Sequence, residues 1–173
     1  MTLVATKVYT NVIQSELPQS ASTNFLNGNL NGFETHGNVV IEGDLSHPAQ
    51  GSVAVLFSSH HDAGEIGPPG YVDTHLTSYI SYALHNITPV TLNISCQYRL
   101  HDANSVFVIK TTDEYSNVFQ WFTDSYTFAQ GYRNAYAVAT VYEFSTVIFE
   151  CSLPNSPIDT YVSIDNLQLE VVS

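Results

Sequence analysis

Basic side chains are scarce in this chain. Lys and Arg together number 4, against 16 Asp and Glu, so the formal net charge is -12. Proteins that bind nucleic acid need clustered Lys and Arg to displace counterions from phosphates. The sequence therefore predicts that the chain binds neither nucleic acid nor an anionic membrane surface. The excess of carboxylates instead favours a bound cation. Only 12% of the residues are charged, so surface polarity must come largely from uncharged side chains.

Long apolar runs are also missing, since none approaches the roughly 20 residues that cross a bilayer. Residues 1–14 lack the basic start, continuous apolar centre and cleavage site of a signal peptide. The chain is then either a non-secreted protein or a mature form. The even pair Cys96 and Cys151, with glycosylation sequons at Asn86 and Asn93, favours a secreted or extracellular protein. The cysteines are either disulfide-bonded or two buried free thiols.

Catalytic signatures are absent too. There is no Gly-x-Ser-x-Gly elbow and no glycine-rich phosphate loop. A glycosidase needs two carboxylates facing each other across a cleft, and the 16 acids neither show nor exclude such a pair. We therefore expect a protein that binds rather than an enzyme.

Helical periodicity is nearly absent, whereas short runs rich in β-branched and aromatic residues recur between turn residues. Within residues 91–100 the apolar side chains Leu92, Ile94, Cys96 and Tyr98 alternate with polar ones. Strands with one buried face and one solvent-exposed face are typical of antiparallel sheets packed as a sandwich. The sequence predicts an all-β antiparallel sandwich, whose many aromatics leave room for a homo-oligomer. The other predicted strands are residues 39–41, 52–57, 105–110, 136–144, 146–151 and 161–171, the last with an irregularity at 165–166.

Three segments carry a family resemblance. They are residues 24–34 (NFLNGNLNGFE), 48–55 (PAQGSVAV) and 161–169 (YVSIDNLQL). In this order they resemble the galactose-binding-like jelly rolls of many carbohydrate-binding modules, which often open with Asn-Gly-x-Phe-Glu and close with Ile-Asp-Asn-(Val/Leu)-x-Leu. Residues 38–40 (NVV) stand where those modules usually have a Trp. The resemblance implies a jelly-roll domain over residues 24–173, with residues 1–23 as an N-terminal extension or first strand.

The resemblance also implies that the first and last strands are neighbours and that a structural calcium lies at their edge. Its carboxylate ligands here would be Glu34 and Asp165. Calcium takes six to eight oxygens, and loops rich in Gly and Asn supply carbonyls for it. The alternative is that both carboxylates are ordinary turn residues.

Sugar recognition combines an aromatic ring under the sugar with planar polar groups on the hydroxyls. The candidate aromatic ligands are Trp121, Tyr71, Tyr79 and Tyr82, and the alternative for each is packing in or near the core. A guanidinium fits vicinal hydroxyls or a carboxylate sugar, which makes Arg99 and Arg133 candidates. In so acidic a chain, either arginine could instead pair with a carboxylate.

The function predicted from sequence is a non-catalytic, lectin-like module that binds a glycan or polysaccharide. The first alternative is a structural or adhesion module that mediates protein contacts or assembly. The second alternative is a β-sandwich glycan hydrolase.

Overall fold

The computed structural model describes residues 20–43, 52–61, 74–86, 88–126, 131–152 and 160–172. These residues contain no α-helix, and a single 3-10 turn spans Leu26–Gly28. The strands are β1 (Ser20–Thr23), β2 (Glu34–His36), β3 (Asn38–Glu42), β4 (Val53–His61), β5 (Thr74–Leu76), β6 (Ser78–Ala83), β7 (Val90–Leu100), β8 (Val106–Thr112), β9 (Val118–Ser125), β10 (Arg133–Val141), β11 (Thr146–Ser152) and β12 (Thr160–Val171).

The strands form two antiparallel sheets. The larger sheet has the order β10-β7-β12-β4-β3, with β1 paired to β12 and β5 paired to β4. The smaller sheet has the order β2-β6-β11-β8-β9. The predicted all-β antiparallel sandwich is confirmed. The first described strand does lie beside the last, since Ser20–Thr23 pairs with residues 167–170.

Alternation along the strands places the core between the sheets. In β7 the side chains of Leu92, Ile94, Cys96 and Tyr98 are buried, as their spacing predicted. From the smaller sheet, β8 and β11 contribute Phe107, Ile109, Val147 and Phe149, which are all fully buried. The side chains of both sheets thus meet in one core, which is typical of two sheets packed face to face.

Two predicted strand details have clear outcomes. The irregularity at residues 165–166 is confirmed: the pairing of β12 with β7 shifts register between Asp165 and Gln168, and Asn166 has a φ of 50°. The predicted strand over 136–144 is wrong at its end, because β10 stops at Val141. Residues 142–145 form a turn in which Phe144 has a φ of 50°, outside the range of regular extended strand.

Candidate functional site

The aromatic residues predicted to bind a ligand do not share one surface. Trp121 lies on β9, where its ring packs against the core and its indole N–H donates to Thr111 Oγ1 at 2.9 Å.

The candidate tyrosines of β6 are held by other aromatic rings. Tyr82 packs on Phe33 with ring centroids 4.9 Å apart. Tyr79 stacks on His36 at 4.4 Å. Tyr79 and Tyr82 point to opposite faces of β6, as an odd spacing in a strand requires. Tyr71 lies outside the described residues.

The two candidate arginines are on different parts of the larger sheet. Arg133 begins β10, where Nη1 lies 2.8 Å from Asp124 Oδ2 and the guanidinium stands 5.2 Å from the centre of the Tyr98 ring. Tyr98 O–H also donates to Asp124, and burial with this bond raises the pKa of the phenol. Arg133 is thus held in a three-residue cluster. Arg99 lies on the outer face of β7, opposite Ser163.

The two carboxylates predicted to bind calcium belong to different sheets. Asp165 lies at the bulge of β12, is wholly buried, and accepts a hydrogen bond from the backbone N–H of Asn166 at 2.7 Å. Glu34 begins β2 with a side chain 76% exposed, and its Oε2 lies 3.8 Å from His36 Nε2. Among the described residues, no group of three or more His, Cys, Asp or Glu could hold a metal ion. Any calcium there would depend on carbonyl oxygens as well.

A row of amide side chains crosses the outer face of the larger sheet. Asn166 Nδ2 donates to Gln97 Oε1 at 3.0 Å, and Gln97 Nε2 donates to Asn134 Oδ1 at 3.4 Å. The row therefore runs from β12 over β7 to β10. It exists because the register aligns Asn134 with Gln97, and because the bulge gives Asn166 a place beside them.

A second row lies next to the amides and carries an exposed aromatic ring. Tyr136 is directly opposite Ser95, which is itself opposite Gln168. The phenol O–H of Tyr136 donates to Asn93 Oδ1 at 2.9 Å, although the residue is 60% exposed. This bond fixes the ring on the sheet while leaving its surface open to solvent.

We call this surface the amide face, defined by Asn93, Ser95, Gln97, Asn134, Tyr136, Asn166 and Gln168. Between the two rows lies a depression of 430 Å³. A second depression of 340 Å³ adjoins it and shares Asn166 and Gln168. That second depression is also lined by Ser22, Asn24 and Asn31. Together they form an open groove lined by uncharged hydrogen-bonding groups.

The amide face was not predicted as a site, although three of its seven residues were recognisable in the sequence. The alternation of β7 places Asn93, Ser95 and Gln97 on one wet face. The contribution of Asn134 and Tyr136 requires the register between β10 and β7. The contribution of Asn166 depends on the bulge.

A serine and a histidine are paired near the start of β12. His101 Nε2 lies 2.6 Å from Ser163 Oγ, and the imidazole stacks on Tyr161 at 4.4 Å. Ser163 is buried, so substrate could not reach its hydroxyl in this conformation. The neighbouring carboxylate of Asp102 accepts from the backbone N–H of Asn104 at 2.8 Å. The pair therefore lacks the accessible nucleophile that covalent catalysis requires.

The structure also places the two cysteines and the sequon at Asn86, which had favoured a secreted protein. Cys96 and Cys151 are buried free thiols on different sheets. Burial raises the pKa of both, to about 12 for Cys151. The side chain of Asn86 is buried, and its Nδ2 donates to the carbonyls of Thr88 at 2.8 Å and Tyr142 at 2.9 Å. The described part of the chain contains no helix with the length and hydrophobicity of a bilayer-spanning segment.

Comparison with known proteins gives a fold but no sequence relative. No family model matches the sequence, and no curated protein matches it significantly. Among solved structures, the K1 cleaved adhesin domain of Lys-gingipain from Porphyromonas gingivalis W83 has a TM-score of 0.58 at 13% identity, over 90% of this chain and 100% of that one. TmCBM61 in complex with β-1,4-galactotriose has a TM-score of 0.56 at 13% identity, over 86% of this chain and 94% of that one.

A third match is the enzymatically active domain of bacteriophage CBA120 tailspike protein 4. Its TM-score is 0.54 at 11% identity, over 86% of this chain and 20% of that one. An adhesin, a carbohydrate-binding module and part of an enzyme thus share one architecture, so the fold alone does not decide the function. The resemblance in the sequence is confirmed at the level of fold: the chain is an antiparallel jelly-roll β-sandwich.

Proposed function

We propose that the chain is a non-catalytic carbohydrate-binding module and that it binds its glycan on the amide face. The observation that carries the proposal is the amide row from Asn166 through Gln97 to Asn134, beside an exposed Tyr136. Each amide offers both a donor and an acceptor, which suits neighbouring sugar hydroxyls. The Tyr136 ring offers an apolar surface for one face of the sugar.

The setting of these side chains supports the same ligand class. They stand on the neighbouring strands β10, β7 and β12, of which β7 and β12 are paired on both sides, so binding costs little ordering. The groove residues are uncharged, and Glu170 stands beside them, with Oε2 3.5 Å from Asn93 Nδ2. A neutral polysaccharide therefore fits better than a charged one. Such a ligand also favours an extracellular location for the module.

Replacing Tyr136 by alanine tests this proposal. We expect the affinity for the best ligand on a glycan array to fall about tenfold, the loss of one aromatic contact worth about 1.4 kcal/mol. The fold should be unchanged, because the ring is mainly exposed. Calorimetry with that ligand measures the change, with β-1,4-galactotriose among the probes.

Tyr115→Ala is the matched control, because Tyr115 is an exposed tyrosine on the turn after β8, away from the amide face. Equal loss in both variants would contradict the amide face as the site. Binding to no glycan at all, together with oligomerisation in solution, would favour the adhesion alternative, which the adhesin-like fold also fits. Turnover of polysaccharide by the pure protein would favour the hydrolase alternative.

A structural calcium remains part of the proposal, with Asp165 and Glu34 as carboxylate ligands. Asp165 suits this role because a wholly buried carboxylate is costly unless positive charge or donors stabilise it. Glu34 has the right chemistry, and its high exposure leaves the side chain able to reorient.

Chelation tests the calcium separately from the glycan. We expect EDTA to lower the melting temperature, because an ion bound only by the folded state stabilises that state. Glu34→Ala should lower the melting temperature in calcium and make EDTA less effective. Glu42→Ala, an exposed glutamate on β3, is the control. A melting temperature that neither chelation nor Glu34→Ala changes would remove calcium from the proposal.

A further inference from the structure

A third pocket lies away from the amide face, where two turns meet at one end of the sandwich. One turn joins β8 to β9, and the other joins β10 to β11. The pocket has a volume of 460 Å³. We call it the aromatic–acidic pocket, lined by Pro89, Asp113, Glu114, Tyr115, Phe119, Tyr142 and Glu143.

Three aromatic rings that line this pocket are exposed to solvent. Tyr115 is 77% exposed and Tyr142 is 53% exposed. Phe119 is also exposed, and its ring centre lies 6.2 Å from that of Tyr142 with the planes tilted by 44°. Tilted rings give the pocket an aromatic corner rather than a flat patch. An exposed aromatic cluster of this kind commonly marks a binding surface.

Hydrogen bonds hold both turns in place without a ligand. The carboxylate of Asp113 accepts from the backbone N–H groups of Tyr115 at 3.0 Å and Asn117 at 2.8 Å. In the other turn, the Tyr142 carbonyl accepts from Ser145 Oγ at 2.9 Å and from the buried amide of Asn86. The rings therefore stand on a preformed backbone, which lowers the ordering cost of binding.

The charge of the pocket has one sign. Asp113, Glu114 and Glu143 line it, and among the described residues none of its lining side chains is basic. A hydrogen bond to Glu114, with the nearby charges of Asp113 and Glu143, raises the pKa of Tyr115. The hydrogen bonds from Asn117 lower the pKa of Asp113, so this carboxyl is ionised at neutral pH.

We propose that the aromatic–acidic pocket binds an alkylammonium cation, which would sit against the rings of Tyr115, Phe119 and Tyr142 and face the carboxylates of Glu114 and Glu143. Aromatic faces attract cations through the ring quadrupole, and ammonium groups flanked by carbon use both the rings and the apolar surface. This site is distinct from the glycan site and does not depend on it.

Other ligand classes use the pocket less fully. An anion would be repelled by the three carboxylates. A bare metal ion would gain little from three rings and would lose its hydration. A neutral sugar could stack on a ring, yet it would gain no Coulomb attraction from the negative charge. An organic cation is the ligand class that uses both the aromatic rings and the negative charge of the lining.

Choline and its uncharged carbon isostere, 3,3-dimethylbutan-1-ol, provide the test, since they differ in charge and hardly in shape. We expect choline to bind at low salt, with the isostere at least about fivefold weaker. Added salt should weaken choline binding because the charges are near the surface. Chemical-shift titration of the intact chain measures both ligands. Equal binding of the two, or no choline binding by the folded chain, would overturn the proposal.

Variants locate the site and identify the source of the cation. Tyr115→Leu should weaken choline about two- to fivefold, and Glu143→Gln should also weaken it. Tyr136→Ala, on the amide face, should leave choline binding unchanged. If Tyr136→Ala weakens choline as much as Tyr115→Leu does, the assignment to this pocket is wrong. A trimethyllysine peptide that binds tighter than choline would identify a polypeptide as the source. Tighter binding of choline than of the peptide would identify a small molecule as the source. Either result supports a cation site.

Discussion

Phe149→Ala is expected to lower the free energy of unfolding by about 3–5 kcal/mol. Phe149 is fully buried on β11 at the centre of the smaller sheet, with its ring centre 6.4 Å from that of Phe33. The substitution removes a large apolar surface from the core and leaves a cavity between two sheets that cannot easily close. Equilibrium denaturation in urea, followed by tryptophan fluorescence, measures the loss.

Phe144→Ala is the matched control for this prediction. Phe144 is also a phenylalanine next to β11, but it is 51% exposed on the turn before that strand. We expect its replacement to change the free energy of unfolding by no more than about 0.5 kcal/mol. Similar losses in the two variants would contradict the placement of the core between the sheets.

Lys110→Met is expected to lower the free energy of unfolding by about 2–3 kcal/mol, somewhat less than the loss on breaking a fully buried ion pair. Lys110 Nζ forms an ion pair with Glu150 Oε2 between β8 and β11, and the two side chains are 22% and 11% exposed. Methionine keeps the apolar stem of the lysine but leaves the carboxylate of Glu150 largely buried without its partner. Chemical denaturation at neutral pH measures the effect.

The double variant Lys110→Met with Glu150→Leu separates the ion pair from simple packing. Replacing both charges by apolar groups of similar volume is often neutral or stabilising. We therefore expect the double variant to recover most of the stability lost in Lys110→Met. Losses that simply add would show that the two residues act independently, contrary to the contact between them.

The sequence predicted those parts of the fold that depend on local pattern. The alternation in β7 was sufficient to identify its buried face, because the period of a strand is two. The irregularity at residues 165–166 was visible for the same reason, since alternation breaks there. The resemblance implied that the first and last strands are neighbours, and β1, which precedes the N-terminal motif, does pair with β12. The strand at the end of that motif, β2, pairs instead with β6 of the smaller sheet.

The site was much less predictable, because it depends on register and on turns that meet in space. The row from Asn134 to Gln97 requires a specific alignment of β10 with β7, which no local pattern specifies. The aromatic–acidic pocket joins residues from two turns about thirty positions apart. Tyr79 and Tyr82 lie on opposite faces of β6 because their spacing in the strand is odd, but no strand had been predicted over these residues.

The buried amide of Asn86 sets a condition on how this protein can be produced. Its nitrogen is the atom to which an N-linked oligosaccharide would be joined, and two backbone carbonyls already occupy it. Attachment of a bulky, solvated chain would replace one of the two donor hydrogens, so at least one of these bonds would be lost, and it would force the connection between β6 and β7 out of the interior. In a host that glycosylates nascent chains, modification at Asn86 and native folding would compete, so the order of the two events would decide how much active protein the cell makes.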